Sequence, residues 1–197
     1  MAVGNVGNAL MGPASVYAGP LGVITAAPAD AMINAAPGTA WTDLGGTNGG
    51  ANFSVDPKLT ELVMDQVVDV IDERLTGRTV MVSVALAENT LKNLATSLNC
   101  ALETAGSNYQ GFTPVYDSTA TQIQKFSLLL DGFAPPVGGG TPIASPRRRL
   151  YIPRAQQVGK IEVVYAKDKQ MLFSCQFKAY YVSTTIPPYR WVDQTGP

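Results

Sequence analysis

The chain has 197 residues and a mass of 20.8 kDa, room for one domain rather than two. At 46% hydrophobic and 15% charged it cannot be a disordered chain. It carries fewer charges than the roughly 25% of an ordinary soluble protein, so part of its surface is expected to be covered, most simply by identical copies. With no histidine, Ser-His-Asp and Cys-His nucleophiles, His-ligated zinc and imidazole acid–base chemistry are excluded.

The net charge of -1 conceals a split. Residues 1–117 carry 11 acidic and 4 basic groups, whereas residues 118–197 carry 4 acidic and 10 basic. Either the halves interleave on folding, or two faces of opposite sign favour head-to-tail association. Cys100 and Cys175 lie far apart in apolar patterns and read as small buried thiols of a chain folded in a reducing compartment. The first 11 residues lack a basic region and a continuous apolar run, and no later run approaches the ~20 residues of a membrane span. The expectation is a protein neither exported by the usual route nor inserted in a membrane.

In chain order, residues 1–14 read as an N-terminal arm, and residues 15–17 and 21–26 have strand composition around a Gly19-Pro20 turn signal. The run at 43–50 reads as an exposed loop; it holds no Gly-Lys-Ser/Thr, so neither a phosphate loop nor a dinucleotide fingerprint is present. Residues 56–77 support two readings. A helix would have Asp56 as N-cap, Pro57 at its first position, an apolar face including Leu59, Leu62, Val63, Val67 and Val70, and a Gly77 stop. A strand would alternate Glu61, Val63, Asp65, Val67, Asp69, Ile71 and Glu73 against Leu62, Met64, Gln66, Val68 and Val70. Periodicity leans to the helix, while the valine content leans to extended chain.

The run at 79–87 alternates Val80, Val82, Val84 and Leu86 with smaller residues and predicts a core strand. Leu91, Leu94, Ala95, Leu98 and Leu102 predict a helix over 89–102, capped by Asn89 or Thr90, with its leucine stripe packed on a sheet. Strands are predicted at 125–130 and 150–152, separated by a Pro/Gly loop and the Arg147-Arg148-Arg149 cluster. A hairpin closes the fold, with strand 160–165, a turn at 167–169, and a return strand presenting Met171, Phe173, Cys175, Phe177, Ala179 and Tyr181 on one face. Residues 183–197, with Pro187-Pro188, Tyr189 and Trp191, read as a C-terminal arm.

These elements predict a single mainly β (α+β) domain: an antiparallel sandwich or partly closed barrel over residues 15–182, one flanking helix, and arms at both ends. The order Trp41-Thr-Asp-Leu-Gly, a glycine-rich turn, Asp65-Gln66, Val68-Asp69, Thr76-Gly-Arg-Thr-Val and Leu86-Ala-Glu-Asn-Thr-Leu resembles the major tail proteins that form the tail tube of long-tailed, non-contractile bacteriophages. Tyr151-Ile-Pro-Arg and Lys167-Asp-Lys are similar to that family's second half, so the resemblance spans about residues 41–181. It implies subunits in stacked, hexameric rings, and a long inter-subunit loop or hairpin before the 79–87 strand. That turns the reading of residues 62–74 from helix to extended chain.

As a tube subunit, the chain would pair with itself through Trp41, Leu62, Met64, Val68, Val70, Arg74, Arg147, Arg148, Arg149, Arg154, Tyr189 and Trp191. Asp65, Asp69 and Glu73 would line the lumen and repel DNA in transit, or else pair across subunits with the arginines. Three arginines in a protein of pI near 5.4 make a weak nucleic-acid footprint, and an interface ion-pair cluster is the better reading. No cofactor, metal or catalytic residue is implied. The implied partners are other tail proteins (tape measure, terminator, distal tail), and the implied location is a virion tail assembled in the host cytoplasm. The competing readings are another ring-forming tail or secretion-tube component, such as a terminator or a contractile inner tube, and a carboxylate-dependent cell-wall hydrolase.

Overall fold

Strands of alternating burial dominate the chain. A computed structural model describes residues 12–21, 33, 36–100, 102–103, 108–114, 123–135 and 146–194. Its elements are β1 (Ser15–Gly19), β2 (Thr42–Asp43), β3 (Thr47–Leu62), β4 (Asp72–Leu86), α1 (Leu91–Ser97), β5 (Phe126–Phe133), β6 (Arg147–Gln157), β7 (Phe173–Ala179) and β8 (Arg190–Asp193). The predicted N-terminal arm through residue 11, the strand beyond Leu21 and the Pro/Gly loop over 136–145 lie outside the described residues.

All strand pairs are antiparallel, in the order β2-β1-β5-β6-β7-β4-β3. The two ends of that order are neighbours in the chain, separated by residues 44–46. Leu44 N–H donates to the Val16 carbonyl (2.9 Å) and Ala87 N–H to the Gly46 carbonyl (2.8 Å), so the sheet curls round on itself. β6 pairs with β5 along one edge; its other edge is shared between β8, against residues 148–151, and β7, against 155–157.

Inside the curl, inward positions two apart interlock: Val82, Val84 and Leu86 of β4, Phe173, Cys175 and Phe177 of β7, Leu128 and Leu130 of β5, and Leu150 and Ile152 of β6. Truncating Phe177, fully buried and edge-on to Phe126 at 5.5 Å, costs about 3–5 kcal/mol in such a core. On the outer face Trp41, Leu129 and Tyr151 form a smaller cluster.

Several elements differ from expectation. Of the two readings of residues 56–77, the helix that periodicity alone favoured is absent and the extended chain holds: Asp56 and Pro57 lie in β3, paired with Thr79 and Arg78, and the pairing runs on as a ribbon to Leu62↔Asp72. Pro57 is tolerated because β3 is an edge strand, where one missing N–H breaks no ladder. The glycine run at 43–50 is largely strand, not loop; Gly49 and Gly50, at φ +75° and +78°, form a bulge between Asn48 and Ala51. Strands read at 125–130 and 150–152 extend over Phe126–Phe133 and Arg147–Gln157.

The helix is shorter than 89–102. Thr90 caps it by accepting from Asn93 N–H (3.1 Å), and Asn99 at φ +55° ends it. Asn99 N–H donates to the Thr96 carbonyl and Cys100 N–H to the Ala95 carbonyl, the paired bonds of a left-handed C-terminal cap. Its buried face is Asn93, Ala95 and Ser97, while Leu91 and Leu98 are exposed and Leu94 alone of the stripe packs on the core. The Asn93 amide sets that orientation by donating to the Leu44 (2.7 Å) and Glu88 (2.9 Å) carbonyls.

Residues 160–165 form no strand; they belong to an exposed loop between β6 and β7. Nor is the predicted C-terminal arm free over its described residues, 183–194: β8 pairs with β6, and residues 195–197 lie outside the described residues.

Candidate assembly surfaces

β4 pairs with β7 only from Met81 to Leu86, whereas its pairing with β3 continues out to Leu62↔Asp72. Beyond Asp56 and Thr79 the two strands therefore leave the sheet as a ribbon, projecting roughly 20 Å at strand rise. Lys58↔Gly77 is followed by Leu59↔Leu75, which leaves Thr76 as a bulge; its hydroxyl donates to the Lys58 carbonyl (3.1 Å). The tip closes with Val67 N–H donating to the Met64 carbonyl (3.0 Å) and Ile71 N–H to that of Leu62 (3.1 Å).

The ribbon buries almost nothing. Leu59, Leu62, Val63, Met64, Val67, Val68, Val70, Ile71 and Leu75 are all exposed, Val68 completely. A two-stranded ribbon is marginal in water on its own, and contiguous apolar surface of this kind marks an interaction site. The ribbon is also acidic. Glu61 and Glu73 face each other directly across it beside Asp72, a like-charge arrangement that opposes pairing. Residues 61–73 hold five acids and no base.

The structure thus gathers Leu62, Met64, Val68, Val70 and Arg74, with Asp65, Asp69 and Glu73, onto one exposed projection. The remaining expected interface residues lie elsewhere. Trp41 is 8% exposed and packs edge-on against Tyr151 at 5.9 Å, so its ring is used inside the chain. Tyr189 and Trp191 fold back at the ribbon's base, where both pack edge-on against Phe53 (5.2 and 5.3 Å), with Arg78 over Tyr189 and Arg148 over Trp191.

The arginine cluster is paired within the chain. Asp131 Oδ2 accepts from both Arg147 (2.8 Å) and Arg149 (3.0 Å), and Arg148 makes a bidentate pair with Asp193, both bonds at 2.6 Å. The hydrogen bonds from Arg148 are the main cause holding the Asp193 carboxyl below the usual range, and they raise the Arg148 pKa. Arg154 donates to the Tyr181 carbonyl (3.2 Å). Sequence reasoning missed Asp131 and Asp193. Asp131 had a signal, a lone charge after Leu128-Leu129-Leu130, since a charge in an apolar strand needs a counter-charge.

Also missed was the loop over residues 158–172, where Val163, Val164 and Tyr165 are exposed. Its ends are tethered: Ile161 and Met171 pack on the core, and Asn89 donates to the Met171 carbonyl (3.1 Å). Cys175 is buried, which pushes its thiol up to about 12; Cys100 is partly buried, and both are free thiols. Among the described residues, no group of three His, Cys, Asp or Glu side chains could hold a metal ion, and no helix is long and apolar enough to cross a membrane. No family model matches the chain, and no curated protein is significantly similar to it.

Proposed function

We propose that this chain is the repeating subunit of a hollow tube, the tail tube of a long-tailed, non-contractile bacteriophage, built from stacked rings of identical copies. The observation that carries the reading is the projecting ribbon, whose nine exposed large apolar side chains over residues 59–75 have no cover among the described residues. A monomer in water gains nothing from such a surface, whereas burial against a neighbour is favourable by about 25 cal/mol per Å² of apolar area. The mainly antiparallel β architecture with one short helix agrees with the resemblance in the sequence, as does an extended hairpin before the core strand.

On this reading the subunit is structural and needs no cofactor. The acidic ribbon stem, with Glu61, Asp72 and Glu73, gives the conduit a negative lining that DNA passes without binding. Tape measure, terminator and distal tail proteins are its remaining partners. Sedimentation velocity over a range of protein concentrations tests self-association: species far above 20.8 kDa that grow with concentration support it, and a single 20.8 kDa species throughout overturns it.

A further inference from the structure

A second concentration of exposed apolar side chains, Val163, Val164 and Tyr165, sits on the 158–172 loop, which enters β7 at the opposite end of the sheet from the ribbon. Strand register fixes this. Met81 pairs with Lys178 at the ribbon end of β4, and Leu86 pairs with Phe173 at the other, where the 158–172 loop enters β7. From Asp72 to Leu86 the strand measures roughly 45 Å at its usual rise, so the ribbon tip of a chain cannot reach its own loop. A second copy can.

The charges of the two surfaces also match. Residues 61–73 carry only acids, while the loop's exposed turn carries Lys167 and Lys169 around Asp168. Lys160 and Glu162 are already paired with each other, and neither Lys167 nor Lys169 forms an ion pair among the described residues. One surface is apolar and negative, the other apolar and partly positive, and they face opposite directions. That is the arrangement a heterologous, repeating contact requires.

We propose that the ribbon tip of one copy, through Val67, Val68 and Val70, docks on the Val163-Val164-Tyr165 loop of the next, with Asp65 and Asp69 facing Lys167 and Lys169. The proposal rests on the reading that copies of this chain assemble. It moves Asp65 and Asp69 from the lumen to an inter-subunit contact.

The test uses the full chain in a Cys100→Ser background, with Val68→Cys in one preparation and Tyr165→Cys in another, mixed under mild oxidation while sedimentation reports assembly. The expected result is several-fold more disulfide-linked dimer in the mixture than in either preparation alone. Assembly without that cross-link, or with equal cross-linking of the Val68→Cys chain to itself, overturns the docking pair and leaves the tube reading standing. Absence of any assembly overturns both. A charge swap gives a second readout. Lys167→Glu with Lys169→Glu should raise the concentration needed for assembly by about tenfold or more. Adding Asp65→Lys and Asp69→Lys to the same chain should restore it, and failure to restore it overturns the proposed pairing.

Discussion

Asp131 holds two guanidiniums on one oxygen while only 2% of its side chain is exposed, and Arg149 is 5% exposed. Removing one member of a buried ion pair leaves a charge that water cannot reach, typically at a cost of 3–5 kcal/mol. Asp131→Ala should therefore lower unfolding free energy by about that amount in urea titrations, well beyond the effect of a surface change. Gly45 is constrained in a different way. Its φ is +79°, and an added Cβ would fall 2.1 Å from the Glu88 carboxyl carbon, whose Oε1 accepts from Gly46 N–H at 2.9 Å. Gly45→Ala is expected to cost more than about 1 kcal/mol from backbone conformation alone, and to displace Glu88 from the β2–β3 connection; thermal melts of the purified variant would show it.

Among the elements, the ribbon separates folding from assembly. Lys58 and Gly77 face each other across it, so a two-residue Asn-Gly turn can replace residues 59–76 without disturbing the core. The shortened chain should keep its circular dichroism spectrum and its melting temperature to within a few degrees, and lose self-association; retained association would mean that another surface carries the contact. β8 depends on a four-residue ladder and on the Arg148–Asp193 pair. Asp193 is lowered in the folded chain, so its contribution is present above the ordinary aspartate range and lost as pH falls through and below that range. Hydrogen exchange at residues 190–193 should rise toward acid before that of β4 and β7.

Element legibility followed burial. Val80 to Leu86 and Phe173 to Phe177 could be read because one face of each strand is inside and the other is not. The 56–77 region defeated periodicity because neither face is buried, leaving Asp56-Pro57 free to imitate a helix start. The leucine stripe of α1 misled for a related reason: an asparagine, hydrogen-bonded to two carbonyls, chose the buried face. Asn99, the residue most tolerant of left-handed backbone after glycine, was the available sign of the early stop. The paired prolines suggested a loose C-terminus, but the ladder with β6 and the aromatic contacts to Phe53 draw it back.

In the whole molecule, a curled antiparallel sheet buries an apolar interior while the ribbon and the 158–172 loop carry apolar side chains outward. Both the mainly β architecture and the projecting segment were legible in the sequence. The intramolecular pairing of the arginines was not, because Asp131 and Asp193 are brought to them only by strand register. In the function proposed above, the protein completes its burial by joining copies of itself into a hollow tube. Electron microscopy of the concentrated, purified full chain tests this most directly. Tube assembly would give long polymers with a continuous central channel and a regular axial ring repeat; dispersed single particles of 20.8 kDa at every concentration would overturn it.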